Sequence, residues 1–275
     1  MTDTKKATDE VMEFKRYGGA SIVDVTSIGI GRDPIAIRNI SRETGINVIM
    51  GSGYYTATSH PPDMVDKTEG EIAREIIKDI QEGVGETGIR AGIIGEIGLS
   101  DVEKNPNEVK SLGASVRAQK EIGAPLIIHP SAMRQCEPVI EILEEEGANM
   151  KQVVMSHTES YLDESMDYAY MIADVGLYIE CDLWGREGNW PAFDVIIPSD
   201  TQKMKGIEKL IENGYPDQVL LSQDVCMKIQ LMAYGGRGYA HLMRDIIPQL
   251  KMNGTSEDEI NSMLVENPKK ILAFV

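Results

Sequence analysis

The chain alternates regularly between short apolar runs and amphipathic segments, and this alternation limits the possible folds more than any other feature. Seven apolar runs are predicted as strands. Each is followed by a segment in which apolar residues recur with helical spacing. Strands that are apolar throughout and separated by helices are typical of a parallel sheet covered by helices. The predicted strands are residues 21–26, 46–50, 91–98, 125–129, 153–157, 177–182 and 218–222.

Two parallel architectures are compatible with this alternation. A doubly wound sheet should carry a glycine-rich phosphate turn after its first strand, and residues 28–31 (IGIG) match that motif only in part. Seven strand and helix units, with one further helix before the first strand, fit a TIM-type (β/α)8 barrel that lacks only its first strand. Because 275 residues suffice for one such domain, we predict a single barrel domain over residues 1–275.

The charge balance of the chain excludes two classes of partner. The formal net charge is -17, whereas nucleic acids and anionic membranes are bound by clustered Lys and Arg. No apolar run is as long as a membrane span, and the amino terminus is polar. The three cysteines are far apart in the sequence, which predicts reduced thiols rather than disulfides. We therefore expect a cytoplasmic protein that acts on a small molecule.

Four polar side chains lie where predicted strands end. Glu96 interrupts an apolar strand, where a charge is costly unless it is paired. His129 and His157 end the strands that follow, and Asp224 lies just beyond the last one. The separations of 33, 28 and 67 residues correspond to about one, one and two strand and helix units. All four residues are therefore expected at the carboxyl-terminal rim, where barrel enzymes build their active sites.

Histidine nitrogens and carboxylate oxygens suit a divalent ion such as zinc, manganese, cobalt or iron. Such an ion lowers the pKa of a bound water toward about 7, so that hydroxide is available at neutral pH. Asp224 can then accept the proton and pass it to the leaving group. One histidine at a strand end is more often structural, and an acid after a strand is often a helix cap. Four such residues in register favour metal-assisted hydrolysis.

The remaining candidates have simpler explanations. His60 lies in a proline-bounded loop and His241 in a helical segment, so both are predicted to have surface or packing roles. Tyr54, Tyr55 and Trp184 follow strands and can either line a substrate pocket or plug the mouth of the barrel. Residues 235–238 (GGRG) are predicted as a plain loop, with a hinge or phosphate-binding turn as the alternatives.

The motifs of the chain resemble those of the phosphotriesterase-related family of the amidohydrolase superfamily. The resemblance extends over nearly the whole chain, and the motifs are specific in combination. They are residues 23–26 (VDVT), 29–33 (GIGRD), 51–55 (GSGYY), 91–98 (AGIIGEIG), 129 (H), 156–157 (SH), 221–224 (LSQD), 234–239 (YGGRGY) and 267–268 (NP).

The resemblance implies a (β/α)8 barrel with a binuclear metal centre, usually of zinc. A carboxylate bridges the two ions in that family, and in the branch called phosphotriesterase homology proteins it is a glutamate, at the position of Glu96. His129 and His157 match the ligands of the more exposed ion. Asp224 matches the aspartate that binds the buried ion and shuttles the proton. The implied reaction is hydrolysis of a lactone, carboxylic ester or phosphoester by metal-bound hydroxide.

The sequence departs from the family at the first strand, which should end in His-x-His. No His-x-His occurs in this chain. A truncated sequence, loss of the buried-metal site, or a strand supplied by a partner chain would each explain this. The alternative to an active enzyme is therefore an impaired or non-catalytic metal-binding barrel. A barrel without one strand has two unpaired edges, so oligomerisation or marginal stability is also expected.

Overall fold

A computed structural model describes residues 3–130, 136–162, 165–190 and 195–274. Its main element is a seven-stranded parallel sheet in which the strands follow one another in chain order. The strands of this sheet are β1 (Ser21–Asp24), β2 (Asn47–Ser52), β3 (Ile93–Leu99), β4 (Leu126–Pro130), β5 (Val153–Met155), β6 (Tyr178–Cys181) and β9 (Val219–Leu221).

Helices connect successive strands of the sheet. They begin and end at residues suited to those positions: Asp33 accepts a hydrogen bond from the third residue beyond it, and Gly45 closes the same helix with positive φ. The helices are α1 (Thr4–Arg16), α2 (Pro34–Thr44), α3 (Glu69–Gln81), α4 (Pro106–Ile122), α5 (Cys136–Glu146), α6 (Asp167–Asp174), α7 (Asp200–Glu212), α8 (Ile247–Met252), α9 (Glu257–Asn261) and α10 (Asn267–Ile271), with π-helical turns at Leu242–Ile246 and Ser262–Glu266.

The strand order distinguishes the two architectures left open by the sequence. In a doubly wound sheet the order of the strands reverses partway across the sheet. In this sheet the strands follow chain order from β1 to β9 without such a reversal. Unbroken order with a helix after each strand is the arrangement of an α/β barrel. Among the described residues the sheet has seven strands and β1 does not pair with β9, so the predicted barrel lacking a strand is confirmed.

Buried side chains fill the space between the sheet and its helices, as the apolar strands predict. Ile94, Leu126 and Val153, from three adjacent strands, are each fully buried. Cys136 and Cys181 are buried free thiols, and Cys226 is an exposed one. In the described part of the chain, the helices fall short of the length and apolarity that a membrane crossing requires.

Most strand ends differ from the predicted ones by one or two residues, and three differences matter more. An antiparallel hairpin, β7 (Gly188–Trp190) with β8 (Val195–Ile197), follows β6, where no strand is predicted. The fifth strand ends at Met155 rather than at His157. The sixth helix is predicted from Asp163, which lies outside the described residues, and α6 begins at Asp167.

Candidate metal centre

Three adjacent strands bring Glu96, His129 and His157 together. Glu96 lies within β3, His129 near the end of β4, and His157 two residues beyond β5. The register between β3 and β4 pairs Gly98 with His129, so the carboxyl ends of both strands lie at the same height. Since β4 pairs with β5 in the same parallel sense, all three side chains reach one region of the rim.

The ligand atoms of these three residues converge on a common point. His157 Nε2 lies 2.7 Å from His129 Nδ1 and 3.1 Å from Glu96 Oε1. His129 Nδ1 lies 3.5 Å from the same Glu96 oxygen. A tetrahedral zinc ion with ligands at about 2.1 Å requires ligand atoms about 3.4 Å apart. The separations of 3.1 and 3.5 Å are close to that value, whereas the 2.7 Å between the two histidine nitrogens is a hydrogen-bond distance that would lengthen by about 0.7 Å around an ion. The donor types and their convergence fit a divalent ion.

His157 is held in an uncommon conformation. Its φ of 56° and ψ of 36° lie in the left-handed region, which costs a residue other than glycine about 1 to 2 kcal/mol. Its Nδ1 lies 2.9 Å from Asp182 Oδ1, just after β6. A carboxylate at that nitrogen fixes the ring with Nε2 facing Glu96 and His129, where it could bind an ion. Backbone strain and ring orientation therefore both serve to present Nε2.

His129 is oriented by a tyrosine from the segment after β2. The Tyr55 hydroxyl lies 2.9 Å from His129 Nε2, and the two rings are in contact with centroids 4.7 Å apart. The hydroxyl lies 3.3 Å from Nδ1, farther than from Nε2, and Nδ1 is the nitrogen that faces Glu96 and His157. Burial raises the pKa of Tyr55 well above its ordinary value, and the negative charge of Glu96 raises it further. The tyrosine therefore stays neutral at physiological pH and is suited to a hydrogen bond.

The charges in the cluster compensate one another. Burial alone would raise the pKa of Glu96, but the positive charges of His129 and His157 and their hydrogen bonds hold it well below its ordinary value. Burial opposes the protonation of His157, whereas the charge of Asp182 raises its pKa strongly. Only about an eighth of the Glu96 and His157 side chains is exposed. A divalent ion would take over from the imidazole protons as the positive charge facing Glu96, since histidine binds a metal in its neutral form.

A second carboxylate, Glu180 on β6, also points into the barrel and is absent from the predicted site. Its two oxygens accept hydrogen bonds from the hydroxyls of Ser156 at 2.7 Å and Ser222 at 2.8 Å. Burial raises the pKa of Glu180. A charged residue in an otherwise apolar strand is the same sequence pattern that draws attention to Glu96, so the pattern was available here too.

Asp224 is not part of the converging group. Its carboxylate pairs with the guanidinium of Arg186, with 2.7 Å between Asp224 Oδ2 and Arg186 Nη2. Within the described residues, Glu96, His129 and His157 are the group whose ligand atoms lie within 4.8 Å of one another. These three residues could hold one ion, while ligation by Glu96, its bridging of two ions and the coordination of an ion by Asp224 stay predictions.

The cluster opens into a cavity of about 730 Å³. Glu96, His129, His157 and Asp224 all line it, so the acid and the histidines share one space. Its lining also includes Tyr55, Tyr161, Arg186, Trp190, Cys226 and Tyr239. The cavity continues along β1, α1 and α2, past Ile22, Val11 and Ile37.

Of the three aromatic residues predicted to line a pocket, one does so. Tyr55 lies in the cavity wall, whereas Tyr54 is fully buried and its hydroxyl binds Glu75 on α3. Trp184 is also buried, and its indole nitrogen donates a 3.0 Å hydrogen bond to the Cys181 carbonyl. The prediction is corrected for Tyr54 and Trp184 because both side chains point into the core. Trp190 of the hairpin takes the place in the wall that the sequence suggested for Trp184.

The other predicted loop and packing residues lie outside the cluster. His60 Nε2 contacts the Tyr55 carbonyl at 2.7 Å, and His241 is buried with Nδ1 2.7 Å from Asp245. Both are therefore packing residues. Residues 235–238 form a loop in which Gly235 and Gly238 have positive φ.

A parallel α/β barrel with a carboxylate and two histidines at its carboxyl-terminal rim defines a class, the metal-binding barrel hydrolases. The family profile of the phosphotriesterase family matches residues 2–272. The chain belongs to this family, which is metal-dependent, and it is a hydrolase.

Named relatives share this similarity over most of their length. An N-acetyltaurine hydrolase of Dictyostelium discoideum is 38% identical over 278 residues, which cover 100% of this chain and 75% of that protein. A phosphotriesterase-related protein of Nematostella vectensis is 38% identical over 268 residues, covering 96% of this chain and 76% of the relative.

Solved structures agree with this assignment. A resiniferatoxin-binding protein from Rhodobacter sphaeroides superposes with a TM-score of 0.94 at 38% identity, over 98% of this chain and 75% of the other. A phosphotriesterase homology protein from Escherichia coli, solved with phosphate in its active site, superposes with a TM-score of 0.90 at 27% identity. That match covers 99% of this chain and 91% of the other.

Proposed function

We propose that the chain hydrolyses an acyl or phosphoryl bond with the help of a divalent ion held by Glu96, His129 and His157. The observation that carries this proposal is the convergence of one carboxylate oxygen and two imidazole nitrogens on a cavity. Two histidine nitrogens and a carboxylate oxygen leave a tetrahedral ion one open position. An open position beside a substrate-sized cavity distinguishes a catalytic site from a purely structural one.

The bound ion would supply hydroxide at neutral pH, because it lowers the pKa of its water toward about 7. The protein's own residues do the rest. Asp182 and Tyr55 orient the two imidazoles through contacts of 2.9 Å each. Asp224, on the wall of the same cavity, takes up the proton released in the reaction and delivers it to the leaving group.

Zinc is the ion that we propose, since neutral imidazole and carboxylate suit it and it accepts a site of three protein ligands. Manganese, cobalt and iron accept the same ligands and are the alternatives. We propose one ion per chain for the residues described, because Asp224 is paired with Arg186 rather than directed at Glu96.

For the substrate, we propose a lactone, carboxylic ester, phosphoester or N-acyl amide. The first three follow from the resemblance to the family, and the amide is suggested by relatives named N-acetyltaurine hydrolases. Loops after the strands determine which compound fits, and family membership alone does not identify it. Small-molecule binding also accords with a cavity of about 730 Å³, within the usual range for ligand sites.

Self-association is a further expectation that stays a prediction. Among the described residues, β1 and β9 each have one neighbour in the sheet, and open strand edges favour pairing with another chain. Light scattering would decide this: we expect an oligomer or a protein of low melting temperature, and a stable monomer would contradict the expectation.

To test the proposed function, the protein is treated with a chelator to remove metal, zinc or manganese is added back, and hydrolysis is assayed on a panel of lactones, esters, phosphoesters and N-acyl amides. We expect activity to require the metal and to be lost in Glu96→Gln, which retains the shape of the side chain but removes its charge. Glu141→Gln, on α5 outside the cavity lining, is the matched control and should stay active. Equal activity of the Glu96→Gln and Glu141→Gln proteins would overturn the proposal.

A further inference from the structure

The loop after β6 carries the arginine that pairs with Asp224. We call residues 183–186 the β6 loop. Its backbone is tied to several neighbouring elements: the Leu183 amide donates to the carboxylate of Glu159, and the Trp184 carbonyl accepts a 3.0 Å hydrogen bond from Gln223. Within the loop, the Arg186 amide donates to the Leu183 carbonyl at 3.2 Å. These hydrogen bonds fix the conformation of the loop, which in turn sets the position of the Arg186 Cα atom.

A fully buried lysine from α7 binds both ends of the β6 loop. Lys203 Nζ donates to the Leu183 carbonyl at 2.6 Å and to the Arg186 carbonyl at 2.7 Å. Its third partner is Asp200 Oδ1, 2.8 Å away. The ammonium group has three donors, and these contacts use all of them. A cation with no exposed surface is costly unless it is fully paired, so its position here is strongly determined.

The same aspartate holds the middle of the loop. The Gly185 amide donates to both oxygens of Asp200, at 3.0 and 3.1 Å. Gly185 has a φ of 75°, and a β-carbon there would lie 2.4 Å from Cδ of Arg237. Only glycine therefore fits the loop that Asp200 and Lys203 bind. Both binding residues lie in the first turn of α7, one turn of helix apart.

From this loop, Arg186 reaches across to Asp224. Its Nη2 atom donates to Asp224 Oδ2 at 2.7 Å and to the Asp224 carbonyl at 2.9 Å. Only 13% of the Arg186 side chain is exposed, so its packing leaves little freedom to absorb a shift of its backbone by rotation of the side chain. The position of the Asp224 carboxylate in the cavity is consequently linked to the conformation of the β6 loop.

We propose that Lys203 and Asp200 are positioning residues for catalysis: they fix the β6 loop, through it Arg186, and through Arg186 the Asp224 carboxylate. Neither residue lines the cavity, so neither contacts the substrate. The inference rests on the proposed function in one respect, since it assigns a catalytic effect to the orientation of Asp224. It predicts a class of variant that folds and binds metal, yet turns over slowly.

The test is a double-mutant cycle between Lys203→Met and Arg186→Ala in the full chain. Misplacing a reacting group by about 1 Å can cost on the order of 10²-fold in rate. We therefore expect Lys203→Met to lower kcat by at least about tenfold with little change in KM. In the Arg186→Ala background, the same substitution should change kcat by less than about twofold, because coupled residues are not additive.

The melting temperatures of the same four proteins are also measured, so that an effect on the position of Asp224 can be distinguished from a loss of stability. A purely structural role would lower the melting temperature and reduce kcat equally in both backgrounds, and that result would overturn the proposal. Lys205→Met, on the exposed face of the same helix, is the matched control and should leave kcat unchanged. If Lys203→Met does not fold, Asp200→Asn takes its place, with the same pattern at smaller amplitude.

A structural measurement keeps this inference separate from the proposed function. If the wild-type chain is inactive on every substrate, the proposed function fails, and crystal structures of the wild-type and Lys203→Met proteins then test the positioning alone. The separation of Arg186 Nη2 from Asp224 Oδ2, 2.7 Å here, should exceed hydrogen-bond distance in the variant. An unchanged separation would overturn the inference.

Discussion

The two halves of the site are built in different ways. Glu96, His129 and His157 come from adjacent strands, and their ligand atoms meet directly. Asp224 follows β9, at the edge of the described sheet, and an arginine from the β6 loop takes its carboxylate. In the first half the sheet register places the side chains. In the second half the sheet holds the Asp224 backbone, whose amide donates to the Asp182 carbonyl at 2.8 Å, and the β6 loop supplies the arginine that binds the carboxylate. We expect the first half to determine metal binding and the second to determine turnover.

The difference follows from distance across the sheet. Neighbouring parallel strands lie about 4.8 Å apart, so three consecutive strands deliver side chains to one point. Strand β6 lies between β5, which precedes His157, and β9, which precedes Asp224. Glu180 on β6 binds two serines, and Asp182 just after β6 binds His157. Asp224 is therefore separated from the cluster by a layer of acidic side chains, and a cation beside it offsets the repulsion.

We call Glu96, His129 and His157 the histidine half of the site, and Asp224 with Arg186 the acid half. The largest effect is expected when a predicted metal ligand of the histidine half is removed. Asparagine tolerates the left-handed conformation of His157 but cannot place a nitrogen donor at the ion. His157→Asn should lose bound metal and activity together, by more than the roughly 10 to 100-fold expected for a residue that only orients a ligand. Metal analysis and kcat/KM measure this, with His60→Asn as the control that retains both. Full metal occupancy in His157→Asn would break the distinction between the halves.

A second prediction concerns the acid half. Asp224→Asn retains the size of the side chain but cannot accept a proton, so kcat should fall by about 10²- to 10⁴-fold. Most of the metal should stay bound, because the cluster of three residues is intact. Parallel measurements of metal content and turnover on the same preparation check this. Unchanged turnover would remove Asp224 from the mechanism, and complete loss of metal would make it a ligand instead.

An intermediate effect is expected at Asp182, which orients His157 without belonging to the cluster. Asp182→Asn weakens the 2.9 Å contact to Nδ1 and should reduce metal affinity by about 10- to 100-fold. Competition with a chelator of known affinity measures the change. Asp217→Asn, an exposed acid on the surface, is the control. If both variants bind metal equally well, His157 is held by its backbone alone.

The smallest effect is a pH dependence of stability at the β6 loop. Burial raises the pKa of Asp200, but the nearby His241, 3.8 Å away, and hydrogen bonds from Lys203 and Gly185 outweigh it and hold the pKa below its ordinary value of 3.8. A depressed pKa contributes stability above the unfolded value, and that stability is lost as pH falls through the folded value. The destabilisation of Asp200→Asn should therefore be full at pH 7 and shrink below about pH 4. Melting curves of the wild-type and Asp200→Asn proteins between pH 7 and pH 3 measure this. A difference in melting temperature that is the same at every pH would contradict the prediction.

Much of the fold and of the histidine half could be predicted from the sequence, because both depend on repetition along the chain. Apolar strands alternating with helices define a parallel sheet. Successive strands end about 30 residues apart in the sequence. Glu96, His129 and His157 have the same spacing, so they could be placed at one rim of the barrel. The hairpin was not predicted because the segment 188–190 (GNW) lacks the apolar alternation of a strand.

The remaining site residues depend on contacts that spacing does not encode. Adjacent side chains of an extended segment point to opposite faces, so only one of Tyr54 and Tyr55 can face the cavity, and the sequence does not say which. Arg186 could not be placed beside Asp224, because their pairing depends on a loop held by α7. Lys203 looks like any helical lysine until its burial is known.

The most direct test of the account is the position of the metal. Crystals of the chain soaked in zinc would be measured at the zinc absorption edge, so that anomalous scattering locates the ion. We predict one peak about 2.0 to 2.2 Å from a Glu96 carboxylate oxygen, His129 Nδ1 and His157 Nε2. A peak coordinated elsewhere, or no peak at this cluster with zinc in excess, would contradict the metal centre on which the account rests.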